Sequence, residues 1–277
     1  MVAAILCFSL MDVAFKLLAP RIGVPMAIWI RYTGQTLCVI ALVLPRLRSV
    51  AKAQYPRLQL ARSVLLLCAT ACFVYGLSRI PLASAAALMS LNPVFISIGA
   101  AVFLKEHIGP RRLFAIAASL LGAVLILKPF STTFTPDAMW PLLAALCYSG
   151  YALITRRVGA NEDVWTSLLY TAAFGSAVLS LGLPLYWVTP SGLDLVIVLP
   201  LIGLGTLGHL LLIRAFSLGE ASMLAPYSYV GLVFAGTWGA LFFSEWPDGG
   251  TLLGALVIAL AGLYVWHRET RARGQSA

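Results

Sequence analysis

The chain has 277 residues, 61% apolar and 10% charged, with a mean hydropathy of +0.93. Soluble domains carry about 25% charged residues and 45–50% apolar ones, so the composition predicts a polytopic membrane protein and excludes an ordinary soluble enzyme. The net charge of +9 comes from short basic clusters between apolar runs, a pattern of topology signals and headgroup contacts and not of a nucleic-acid face.

A spanning helix needs about 20 apolar residues. Broken at Pro, Gly and charge clusters, the sequence predicts ten such spans, at 2–18, 25–44, 60–78, 82–104, 110–128, 138–155, 165–187, 195–217, 221–243 and 250–267. The first lacks a basic leader and matches a later segment, so it reads as a span and not as a cleaved signal peptide. Cys7, Cys38, Cys68, Cys72 and Cys147 all lie inside apolar runs, where thiols act as small packing residues. No disulfide, metal site or cofactor is expected. The links are too short to hold a soluble catalytic domain, which leaves function to the helices.

Orientation follows from the basic residues. With the N-terminus in the cytoplasm, the inner side receives Arg46, Arg48, Lys52, Arg57, Lys105, Arg111, Arg112, Arg156, Arg157, Arg214, Arg268, Arg271 and Arg273. The outer side receives only Lys16, Arg21, Arg79 and Lys128, while Arg31 and Arg62 fall inside or near spans. That is a positive-inside bias. Trp29, Trp140, Trp165, Trp187, Trp246 and Trp266 lie near span ends, where indole rings sit at headgroup level.

The chain repeats itself. "LCFSLMDVAFK" (6–16) aligns with "LCYSGYALITR" (146–156), and "FLKEHIGPRRLFAIAASLLGAVLIL" with "FFSEWPDGGTLLGALVIALAGLYVW", at an offset of 139 or 140. Each unit then holds five helices. An odd number sends the second unit into the membrane from the opposite side, an inverted-topology repeat suited to a carrier. The units are predicted at 1–130 and 131–277, with both termini cytoplasmic. Glu106 and Glu245 mark the repeat on opposite faces, about 30 Å apart. Each is expected to order the turn between the fourth and fifth helices of its half, by accepting bonds from amides at the next helix start.

Polar residues within spans are functional candidates by default. Asp12 is the one carboxylate clearly inside a predicted span, with Lys16 at the i+4 spacing of a same-face pair; paired it is structural or gating, unpaired it carries a proton or binds a substrate ammonium. Arg31 lies within snorkelling reach of the outer edge, and His209 is the sole deep histidine. In the fourth span, "SLNPVF" places Asn92 and Pro93 near mid-membrane; Pro93 removes one backbone bond and predicts a hinge or binding element. The ninth span has Gly231, with Pro226 before it, at the matching place. Tyr75, Tyr148, Tyr151, Tyr227, Tyr229 and Trp238 could line a pocket for an amphipathic small molecule. "GLGTLG" (203–208) fits a dinucleotide fingerprint by letter only; it lacks the βαβ context and reads as close helix packing.

Two five-helix halves, each with an acid after its fourth helix and a small-residue-rich fifth ("SLLGAVLI", "IALAGLYV"), together with Phe8-Ser9 and Tyr148-Ser149, resemble the EamA-type transporters of the drug/metabolite transporter (DMT) superfamily. The resemblance covers essentially the whole chain and implies an all-α integral membrane protein of ten helices. It implies export of amino acids and other small metabolites, and a cavity lined by spans 3, 4, 8 and 9 with the first span of each half beside them. The second motif departs, "EWPDGG" for "EHIGPRR", so gating is expected to differ at the two faces.

The function expected is secondary export of apolar or aromatic amino acids by alternating access, with no enzyme activity. Nucleotide sugars, phosphorylated metabolites and organic cations are the alternatives within the superfamily, and a membrane-embedded enzyme or pore the alternative outside it. The partners expected are a small-molecule substrate and the lipid bilayer, with no nucleic acid; a proton or another ion is the candidate coupling ion. The chain is expected to work singly, in the bacterial inner membrane.

Overall fold

The computed structural model describes residues 1–104, 110–127, 135–158, 162–218, 227 and 229–274. Glu106 and Pro226 lie outside them. The described residues form α1 (Val2–Ile22), α2 (Val24–Val43), the short α3 (Leu47–Val50), α4 (Pro56–Leu77), α5 (Leu82–Met89), α6 (Asn92–Leu104), α7 (Pro110–Leu127), α8 (Met139–Val158), α9 (Val164–Tyr186), α10 (Gly192–Leu218), α11 (Val230–Phe243) and α12 (Gly249–Gly274). Among these, 7 helical stretches are long and apolar enough to cross a bilayer; Leu82–Ile96, Leu113–Leu127 and Val230–Phe243 are shorter apolar helices. Large apolar side chains such as Leu181, Leu185 and Leu199 stay exposed, Leu185 at 91%, and only hydrocarbon satisfies such a surface.

Local chemistry sets the helix ends. Gly23 turns α1 into α2 with φ at 81°, a left-handed value that costs glycine nothing. Ser191 and Asp194 form a reciprocal cap on α10: the carboxylate accepts from Ser191 N at 2.8 Å, and Ser191 Oγ accepts from Asp194 N at 3.4 Å. The predicted fourth span is two helices, not one. Pro93 has no N–H to donate, and the chain passes through a turn at Ser90 and Leu91, where Leu91 N reaches back only to Leu88 O at 3.1 Å.

The helices pack in pairs: α1 with α10, α4 with α8, α2 with α9, α7 with α12, α4 with α9, α2 with α10, α6 with α8, α1 with α11 and α5 with α11. Exchanging α1, α2, α4, α5–α6 and α7 with α8, α9, α10, α11 and α12 turns this set of pairs into itself. At the α7–α12 contact, a Cβ on Gly122 would come 2.8 Å from Gly254 O, so the two backbones touch.

Contacts between helix ends divide the bundle. One end carries the ion pairs Lys16–Glu245, Arg21–Asp194 and Arg79–Asp137 and the Trp29–Ser180 bond of 2.8 Å. The other carries Glu162, which accepts from Gln54 N at 3.1 Å, and Arg46 over the Trp165 ring. Successive long helices therefore alternate in direction.

Candidate functional site

The break between α5 and α6 opens on a cavity of about 140 Å³, walled by Phe8, Ser9 and Asp12 of α1, Phe73 of α4, and Ser90 and Asn92 at the break, among others. Asp12 stands half-buried on its wall, and among the described residues no hydrogen bond or ion pair reaches its carboxylate. The Asn92 carbonyl accepts from Ser149 Oγ of α8 at 3.0 Å, which ties the start of α6 to α8. Pro93 opens α6 as its second residue.

Behind Phe8 lies a second polar group. Arg31 of α2 does not snorkel: it is 2% exposed, and its Nη2 lies 3.3 Å from the His209 ring nitrogens. His209 Nδ1 lies 2.9 Å from Gly205 O. The carbonyl accepts, so the bonding assigns the proton to Nδ1 and leaves Nε2 to accept from Arg31. "GLGTLG" makes the room, since a Cβ on Gly205 would lie 3.1 Å from Met11 Sδ and 3.6 Å from Arg31 Nε, and one on Gly208 would lie 2.9 Å from the Phe8 ring. Arg31 also acts electrostatically on Asp12. Carboxylate and guanidinium are thus neighbours, without an ion pair.

Arg62 of α4 completes the cluster, and sequence reasoning missed it. A span starting at residue 60 leaves Arg62 at the interface; α4 instead starts four residues earlier, at Pro56, which sets Arg62 about 6 Å deeper at 1.5 Å per residue, and it is 1% exposed. Its Nη1 donates to Gln59 Oε1 at 3.0 Å, and its Nη2 to the Tyr151 hydroxyl at 3.3 Å. Gln59 in turn donates to Ser167 of α9 at 3.0 Å, and Tyr148 leans on the Tyr151 ring. Arg31 Nε and Nη1 and Arg62 Nε have no hydrogen-bond partner among the described residues. An effective cost of several kcal/mol attends each buried ion without a counter-charge, so these groups need a functional account.

Lys16 turns away from Asp12. Its ammonium pairs with Glu245 Oε1 at 2.7 Å and donates to Ile80 O at 2.8 Å. Glu245 Oε2 also accepts from Leu82 N at 3.0 Å. It therefore caps α5 and not the helix that follows it; that second role belongs to Asp248, which accepts from Thr251 N at 2.7 Å. Leu82 also lines the cavity, so the Lys16–Glu245–Leu82 latch ties α1, α5 and the end of α11 together directly beside it.

The remaining predicted aromatics scatter. Tyr75 packs on Trp140 and under Arg79, at the ion-pair end. Trp238 donates to Ser9 Oγ at 3.0 Å and joins α11 to α1 at the cavity wall. Tyr229 fills the space left by Gly262 and borders an open apolar groove of about 740 Å³ between α11 and α12, whose lining includes none of Asp12, Arg31 and Arg62; exposed Leu241, Trp246 and Leu252 mark that groove as lipid-facing. Tyr227 is exposed and joins no cluster.

A bundle of apolar helices around a small cavity, mostly apolar but with the Asp12 carboxylate on its wall, fits a membrane transporter. The chain belongs to the EamA-like transporter family, which it matches over residues 1–128 and 136–266. It is a multi-pass membrane transporter and not an enzyme. It is 30% identical to an S-adenosylmethionine uptake transporter of Rickettsia felis, over 94% of this chain and 89% of the relative. It is also 30% identical to a pseudopaline exporter of Pseudomonas aeruginosa, over 94% and 92%, and 33% identical to a riboflavin transporter of Rhizobium johnstonii, over 100% and 93%. A crystal structure with 18% identity superposes at a TM-score of 0.68 over 98% of each chain, which shows the same fold.

Proposed function

We propose that the protein is a secondary carrier that exports small amphipathic metabolites bearing an α-amino carboxylate, amino acids first among them, by alternating access around the Asp12–Arg31 centre. The observation that carries this reading is the pair itself: a carboxylate on the cavity wall and, within its electrostatic reach, a guanidinium whose Nε and Nη1, like that carboxylate, have no partner among the described residues. A zwitterion complements both, its ammonium on Asp12 and its carboxylate on Arg31 in the planar, bidentate manner of that pairing. Phe8 and Phe73 supply apolar walls. Among the molecules the relatives carry, S-adenosylmethionine has this headgroup.

Alternating access rests on two observations. The cavity of about 140 Å³ is smaller than the roughly 300–1,000 Å³ of ordinary ligand sites, which supports a site that widens to load. The packing pairs, unchanged by exchange of the halves, support an inverted repeat of units 1–130 and 131–277, in which opening one side mirrors opening the other. Both termini then lie in the cytoplasm of a bacterial inner membrane, and the latch lies outside. One chain suffices for the site, and Asp12 is the group through which a proton would couple.

Proteoliposome counterflow tests the reading, with labelled L-phenylalanine, L-leucine, S-adenosylmethionine and riboflavin in turn. Saturable exchange of an amino-acid-bearing compound supports it; exchange of riboflavin alone, or unsaturable conductance, sinks it. Inside-out vesicles that accumulate substrate mark export, and right-side-out vesicles that do so mark uptake.

A further inference from the structure

Arg62 is unexplained by a zwitterion held on Asp12 and Arg31. Its head is fixed on both sides by neutral partners, Gln59 and the Tyr151 hydroxyl, it is 1% exposed, and its Nε is unpartnered. Among the described residues no acid forms an ion pair with it. Its place mirrors that of Arg31. Arg31 sits where α2 meets α10 beside α1, and Arg62 where α4 meets α9 beside α8; exchange of the halves converts one junction into the other. Each guanidinium also lies over a tyrosine ring, Tyr32 at 4.6 Å and Tyr151 at 5.0 Å.

Resting on the zwitterion reading, we infer that Arg62 forms a second anion subsite, so that the preferred substrate is an amino acid carrying a second carboxylate. Charge counting leads there. Even with Asp12 ionised, two guanidiniums exceed the one carboxylate, and a simple zwitterion leaves that excess buried. An amino dicarboxylate closes every pair: ammonium on Asp12, one carboxylate on Arg31, the other on Arg62. One contact relates the levels of the two arginines in the bundle. Tyr32, next to Arg31, bonds Thr70 of α4 at 3.1 Å, and Arg62 is eight residues before Thr70, about 12 Å along the helix. The Arg62 head turns back toward Gln59 and the Arg31 head toward His209, so a ligand that touches both must be elongated. Both also act electrostatically on His209, so the two charges reach one common ring.

Three ligands with the same six-carbon chain separate the possibilities: L-norleucine, L-2-aminoadipate and L-lysine. Counterflow and thermal shift of the purified full chain should rank them in the order aminoadipate, norleucine, lysine. One charge-assisted bidentate contact gives aminoadipate a half-saturating concentration about tenfold or more below that of norleucine. In Arg62→Gln that ratio collapses toward one, and Arg62→Lys restores part of it. Equal or better binding of norleucine by the wild-type protein, a measurement that needs no variant, overturns the second subsite and leaves the carrier reading standing. A preference that survives Arg62→Gln also overturns it. If none of the three exchanges, the zwitterion reading falls as well.

Discussion

Glu245→Gln removes the charge that ties the end of α11 to Lys16 while keeping an oxygen to cap α5. The ion pair is 2.7 Å long, with the two side chains 11% and 27% exposed. Fully exposed pairs contribute below about 1 kcal/mol, and breaking a fully buried one costs about 3–5 kcal/mol. The partial exposure of Glu245 puts this pair between them, at about 2 kcal/mol. If the pair is made only when the outer side is closed, that energy shifts the open-to-closed ratio about 30-fold. Ala86→Cys on the cavity wall reports the shift in a background without the native cysteines, as the rate of modification by a membrane-impermeant maleimide added from outside. The rate should rise about 30-fold in Glu245→Gln. It should change little in Asp137→Asn, because the Arg79–Asp137 pair is 3.6 Å long and 40% and 34% exposed. A change below about threefold in Glu245→Gln, or an equal rise in both variants, refutes the latch.

Asp12→Asn and Arg31→Gln should each lower amino-acid exchange by about tenfold or more, one charge-assisted contact apiece, in proteoliposomes of correctly folded protein. Gly205→Leu forces a side chain against Met11 and Arg31, an overpacking cost of about 1–3 kcal/mol, and should lower both melting temperature and exchange; Gly203→Leu, whose Cβ meets nothing within 4 Å, should leave both intact. In whole cells, Trp246→Cys should label from outside and Gln54→Cys only after permeabilisation; labelling of both from outside would overturn the alternating layout.

Bilayer thickness fixes the length of an apolar run, so the spans were legible along the chain, and so was the break at Pro93, because a missing N–H is a local property. Of the ninth span, only the part from Val230 onward, α11, lies among the described helical residues. What sequence could not supply were partners. Lys16 reads as a partner for Asp12 at i+4, yet it meets Glu245, 229 residues away. Arg31 finds His209 at a separation of 178, which no periodicity encodes. Arg62 was obscured by a start that differs by four residues, enough to turn an interfacial side chain into a buried one. Tyr75 and Tyr229 show the converse: a tyrosine at helical spacing says nothing about which face meets the cavity.

The central claim is that transport runs through the unpaired charges beside the broken helix. Counterflow of labelled L-2-aminoadipate and L-leucine in proteoliposomes, measured side by side for the wild-type chain and Arg31→Gln, tests it most directly. Saturable exchange by the wild type and its loss in the variant are the predicted result. Undiminished exchange by Arg31→Gln would place the substrate elsewhere and contradict the account.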